Sequence, residues 1–100
     1  MRKVVVLAEA AEDIELAREF YDAQEFGIGD YFTDSILADI ASLALYHGIH
    51  SWHFGFYRML AHRFPFGIYY RETGAETQVF AILDLRRDPS WIRKELSWRG

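Results

Sequence analysis

The sequence predicts an α+β fold with the order β-α-α-β-β-β and a short C-terminal helix, an α-hairpin packing on one face of a mainly antiparallel sheet. Three observations carry this. Two amphipathic stretches of period 3.6 fill the N-terminal half. From Gly48 onward the pattern turns to mixed strand-like runs. Two of those runs, residues 64–72 and 77–85, flank Thr73-Gly74-Ala75-Glu76 and read as a β-hairpin rich in β-branched and aromatic residues. Their centres, Ile68-Tyr69-Tyr70 and Val79 to Leu83, are apolar on both faces, as befits strands covered on both sides.

Taken in order, Lys3-Val4-Val5-Val6-Leu7 is a short β-branched run, giving a strand over 3–8. A helix over 9–25 places Ala10, Ile14, Ala17, Tyr21 and Gln24 on one face, and Glu9, Glu12 and Asp13 suit the positive end of its dipole. Phe26-Gly27-Ile28-Gly29 breaks it. A second helix over 30–47 has Phe32, Ile36, Ile40, Leu43 and His47 inward, Asp34 and Asp39 outward, and Gly48 as its C′ residue. One strand is expected over 52–60, with Gly55 at a bulge and Phe54 and Phe56 in the core. Asp88-Pro89 reads as an N-cap followed by proline at the first helical position, opening a helix over 90–96. Ser97 to Gly100 reads as a loose tail.

One hundred residues make one domain, residues 1–100. With 51% hydrophobic and 17% aromatic residues, it carries more apolar surface than so small a core needs, which points to a protein partner. There is no cysteine, hence no disulfide framework and no thiolate metal site. No run is long enough for a membrane span and the N-terminus does not read as a signal peptide, so the expected location is the cytoplasm, without membrane contact. Residues 1–50 hold three basic against ten acidic side chains, whereas residues 51–100 hold eight against five. An anionic partner would meet the C-terminal half, but the net charge of −4 argues against general nucleic-acid binding.

The chain resembles the RelE/ParE superfamily of type II toxin–antitoxin toxins, over nearly its whole length. The likeness lies in Val4-Val5-Val6 with Ala8 to Ile14 and Phe20-Tyr21, in Tyr57-Arg58 and Arg63-Phe64-Pro65-Phe66, and in Ala81-Ile82-Leu83 with Arg86-Arg87-Asp88-Pro89 and Trp91. The arginine-Phe-Pro-aromatic and arginine-Asp-Pro segments, joined by the hairpin, are its most specific part. The resemblance implies a cognate antitoxin that forms a hetero-oligomer with the chain. It is closer to the ParE branch, which implies poisoning of DNA gyrase by surface contacts, with no cofactor and no sequence-specific nucleic-acid binding.

Four constellations bear on function. Arg63, Arg71, Arg86, Arg87 and Trp91 are the candidate contacts for target or antitoxin, since guanidinium forks and an aromatic anchor suit such surfaces. Against this, Arg87 would serve structure alone if it paired with Asp84 or Asp88. A ribosome-dependent mRNA endonuclease of the RelE type is the alternative implied by the resemblance, with Arg63 and Arg87 stabilising charge and His62 as acid/base. The residues from 88 to 100 contain neither the Tyr nor the His that this branch places there, and a histidine before a strand is commonly structural. A toxin that has lost its target and survives as an antitoxin-binding scaffold is a third reading. The spacing His47-x-x-His50-x-x-His53 crosses a helix end, so it does not fix a metal geometry. Of Trp52, Phe54, Phe56, Trp91 and Trp98, the last two are the candidates for a partner.

Overall fold

The computed structural model describes residues 1–100. Its elements are β1 (Lys3–Val6), α1 (Ala8–Gln24), α2 (Ile28–Tyr46), β2 (Ser51–His53), β3 (Phe56–Leu60), β4 (Phe66–Thr73), β5 (Glu76–Asp84) and α3 (Pro89–Ser97). The five strands form one sheet in the order β1-β5-β4-β3-β2, with β1 parallel to β5 and every other pair antiparallel. The doubly apolar runs therefore lie inside the sheet, as their pattern requires.

The helical hairpin covers one face. Ala10, Ile14, Phe32, Ile36, Ile40 and Leu43 meet Met59, Ile68, Tyr70, Val79 and Ile82 in the larger core. Its turn is tight because Gly27, at φ +94°, takes a left-handed conformation that glycine adopts without strain. Asp22 then accepts from the Gly27 and Gly29 N–H groups, at 3.0 and 3.1 Å, supplying partners for the exposed start of α2. Gly29 also lets the helices touch: a Cβ there would lie 2.4 Å from the Arg18 carbonyl oxygen. The other face is covered only by α3, whose Ile92 and Leu96 pack on Phe56, Tyr69, Ala81 and Leu83.

Three expectations are corrected. The strand over 52–60 is two strands, β2 and β3, because Phe54 and Gly55 both have positive φ (+54° and +88°) and close a two-residue turn. Phe54 consequently sits at a turn, 46% exposed, while Phe56 is buried. Asp39 is not outward but 6% exposed, since Ile36, Asp39, Ile40 and Leu43 share one helical face. The tail is not loose either: the Arg99 side chain, 6% exposed, is bonded to Asp13 on α1 and Glu95 on α3. Gly48 has the left-handed φ expected of a C′ residue.

Candidate functional site

The loop between β3 and β4 and the turn between β5 and α3 meet at one end of the sheet. The Leu85 N–H donates to the Pro65 carbonyl at 2.8 Å, extending the β4–β5 pairing and setting His62–Pro65 beside Leu85–Asp88. Arg63, Arg86, Arg87 and Trp91 share this end. Asp88 caps α3, accepting from the Ser90 N–H at 2.8 Å and hydroxyl at 2.7 Å. These bonds hold its carboxyl below the usual carboxylate range. Pro89 occupies the first helical turn.

Within this cluster the side chains differ. Arg86 forks onto Asp84 through Nε (3.0 Å) and Nη2 (2.7 Å), so the Arg86 guanidinium depresses the Asp84 carboxyl. Arg87 is not paired with a carboxylate: its guanidinium carbon stacks 3.8 Å from the centre of the Trp91 ring. That stack leaves cationic and aromatic surface together beside the strand-to-helix turn. Arg63 is exposed and donates to the Tyr31 hydroxyl at 3.2 Å. Arg71 does not join them. It lies near the far end of β4, over Phe56 at 4.0 Å, and donates to the Gly55 and Gly100 carbonyls. Its contacts are those of a brace under the β2–β3 turn.

His62 belongs to a pair that the sequence did not reveal. Its backbone N–H donates to Asp39 Oδ2 at 3.0 Å, and its Nδ1 lies 2.6 Å from Oδ1. The carboxylate side chain is 8% exposed and the imidazole 73%. With Nδ1 as donor, Nε2 is left with its lone pair on an exposed ring, next to Arg63. The spacing of Asp39 between Ile36 and Leu43 was the available signal for its burial.

The three spaced histidines are engaged separately. His47 bonds Glu72, His50 bonds the Tyr70 hydroxyl, and His53 bonds the Ser51 hydroxyl. Tyr70 also accepts from the Gly48 N–H, so these groups fasten the α2–β2 link to the sheet. Burial raises the Tyr70 phenol and lowers the His50 imidazole.

Starting from Arg87 and Trp91, a groove of about 330 Å³ runs between α1 and α3. Glu9, Glu12, Asp13 and Leu16 form one wall, and Arg87, Trp91, Glu95, Trp98 and Arg99 the other. No helix is long and apolar enough to cross a membrane.

No protein-family model matches the chain, and no curated protein matches it in sequence. Among solved structures, the chain is similar to one described as the chromosomal ParDE TA system from P. aeruginosa. The TM-score is 0.77 at 20% identity, over 85% of this chain and 97% of that one. The two chains share their fold over nearly the whole of the solved one.

Proposed function

We propose that the chain is the toxin of a type II toxin–antitoxin pair, held inactive in a hetero-oligomer with its cognate antitoxin, and that it arrests growth by binding and poisoning DNA gyrase. The observation that carries this reading is the fold shared with a chain of the ParDE system, which spans 97% of that chain. The exposed Arg87 guanidinium stacked on the half-buried Trp91, with exposed Arg63 nearby, supplies a surface of the kind that such binding uses: an aromatic anchor beside guanidinium groups unpaired with any carboxylate. Exposed Leu16, Phe20, Phe26, Leu45 and Ile49 leave apolar area for an antitoxin to cover, in a complex burying at least about 1,000 Å². Localisation in the cytoplasm, where gyrase acts, belongs to the same reading.

One observation favours a second reading, the ribosome-dependent mRNA endonuclease. The Asp39-held imidazole of His62, beside Arg63, has the form of a general base next to a phosphate-binding cation. Induction of the toxin in cells separates the two. A gyrase poison gives an SOS response with DNA breaks and no codon-specific mRNA cleavage. Growth inhibition is expected to survive His62→Ala and to be lost in the double variant Arg87→Ala with Trp91→Ala, since anchors dominate such surfaces. Codon-specific cleavage abolished by His62→Ala overturns the gyrase reading.

A further inference from the structure

The groove between α1 and α3 is sorted by charge along its length. The two helices run antiparallel: Arg99, just beyond α3, bonds Asp13 in the first half of α1, and Arg86, just before α3, lies near Tyr21 in the last turn of α1. Glu9 and Glu12 therefore stand at the Trp98 end, and Arg87 stands at the Trp91 end. All three are exposed, and none is in an ion pair. Between the two ends the rims are apolar. Leu16 is 59% exposed and Trp98 62%, and Phe20, one turn beyond Leu16 on the same stripe of α1, is 56% exposed.

The floor of the groove is closed to a strand. Asp13 Oδ2 accepts from the Ile82 N–H at 2.9 Å, and the Phe80 carbonyl accepts from Arg99 Nη1 at 3.3 Å. Ala81, Ile82 and Leu83 are buried. With Arg99 held by Asp13 and Glu95, about 330 Å³ stays open above this floor. The surface offered there consists of side chains on two helices, with no free backbone edge. Such a surface is met by a third helix, whose side chains enter the space between the two ridges.

We propose that this groove is the docking site for an amphipathic helix of a partner protein. The apolar stripe of that helix lies on Leu16, Phe20 and Trp98. An acidic residue meets Arg87 at one end, and a lysine or arginine meets Glu9 and Glu12 at the other. The apolar rims supply the affinity, since exposed apolar side chains rimmed by charge mark such surfaces. The charges supply the selection, because a helix carrying one sign throughout meets its like at one end of the groove. A nucleic-acid strand meets the same repulsion at Glu9 and Glu12. The inference stands on the groove and does not depend on the toxin reading.

The test uses the full-length chain and a capped peptide of about fifteen residues, long enough to be helical alone. It has no tryptophan and carries leucines at i, i+4 and i+7, with glutamate at one end of that stripe and lysine at the other. Two controls carry glutamate at both ends or lysine at both ends. The indole N–H signals of Trp91 and Trp98 should shift on binding, while that of Trp52, on β2, stays in place. The mixed peptide should bind about threefold more tightly than either control, the scale of one exposed charge pair. Trp98→Ala should weaken its binding by at least about tenfold. Arg87→Glu should reverse the order and make the all-lysine peptide the tightest. Glu9→Lys with Glu12→Lys should do the same for the all-glutamate peptide. The substituted side chains are all exposed, so the variants should keep the fold, which their amide spectra check. Absence of a shift at Trp98, equal binding of the three peptides, or binding unchanged by Trp98→Ala overturns the proposal. So does a Trp98 shift that grows with chain concentration in the absence of peptide, the mark of self-association.

Discussion

Arg86 and Arg99 make the same contact in two very different places. Each lays two nitrogens across the two oxygens of one aspartate, Asp84 for Arg86 and Asp13 for Arg99. The first pair is separated by two residues, with side chains 60% and 26% exposed; the second by 86 residues, with 6% and 11%. The geometry is shared, so the difference in consequence comes from burial and chain distance. The turn pair closes almost no loop and works in solvent, where screening leaves little net energy. The tail pair joins the last turn of the chain to α1 and seals the sheet edge. Burial pulls the Arg99 guanidinium down, and its bonds to Asp13 and Glu95 more than reverse this. Burial pushes the Asp13 carboxyl up, and its bonds to Arg99 and Ile82 pull it back only in part. Such a pair is costly to assemble and costlier to break.

The largest effect should therefore follow Arg99→Ala. It leaves the Asp13 and Glu95 carboxylates in the groove without a cation, and the expected loss is roughly 3 kcal/mol. A domain of this size has a stability of about 5–15 kcal/mol, so the chain should stay folded at 25 °C. Urea unfolding measures it. A loss under about 1 kcal/mol would mean that burial does not separate the two pairs.

His62→Ala tests the interval between them. The Asp39–His62 pair spans 23 residues and joins an 8% exposed carboxylate to a 73% exposed imidazole. The variant removes one bond but keeps the backbone N–H that donates to Asp39 Oδ2, so Asp39 is not orphaned. About 1 kcal/mol is expected from the same urea experiment. A loss as large as that of Arg99→Ala would show that burial of one partner is enough.

These pairs also mark where the sequence was legible. Helix and strand positions followed from periodicity, because burial of one face repeats every few residues and is written locally: Phe32, Ile36, Ile40 and Leu43 face the sheet as their spacing requires. The cap at Asp88-Pro89 was equally local. The β2–β3 turn was missed because Phe54, a non-glycine residue at positive φ, carries no turn signature of its own. Arg99 and Asp13 lie at opposite ends of the chain, and nothing near either residue names the other. Arg71 looked like its neighbours Arg63 and Arg87 because composition records charge; only the register of β4 sets it at the other end, under Gly55. The candidate surface was thus legible as a set of residue types, and its membership only from the way the strands lie.

The smallest effect belongs to Arg86→Ala, and pH makes it measurable. Arg86 holds the Asp84 carboxyl below its ordinary 3.8, mainly through the side-chain bond. A carboxyl depressed in the folded state adds stability that is complete above its unfolded pKa and is lost as pH falls through the folded one. The window therefore lies below about pH 4. At pH 7 the variant should be less stable by no more than about 0.5 kcal/mol, given the exposure of the pair. The two stability curves should converge as the solution is acidified toward pH 2, where Asp84 is protonated in both. Asp13 has the opposite sign: its carboxyl is raised, so its contribution weakens as pH climbs above 3.8, and it does so equally in both chains. Subtracting the curves removes Asp13 and leaves Asp84. Adding 1 M salt should shrink the difference at pH 7 further, because the Debye length falls to about 3 Å. A difference above about 1.5 kcal/mol, or one that grows toward acid, would mean that the exposed fork holds the strand-to-helix turn as firmly as the buried one holds the tail.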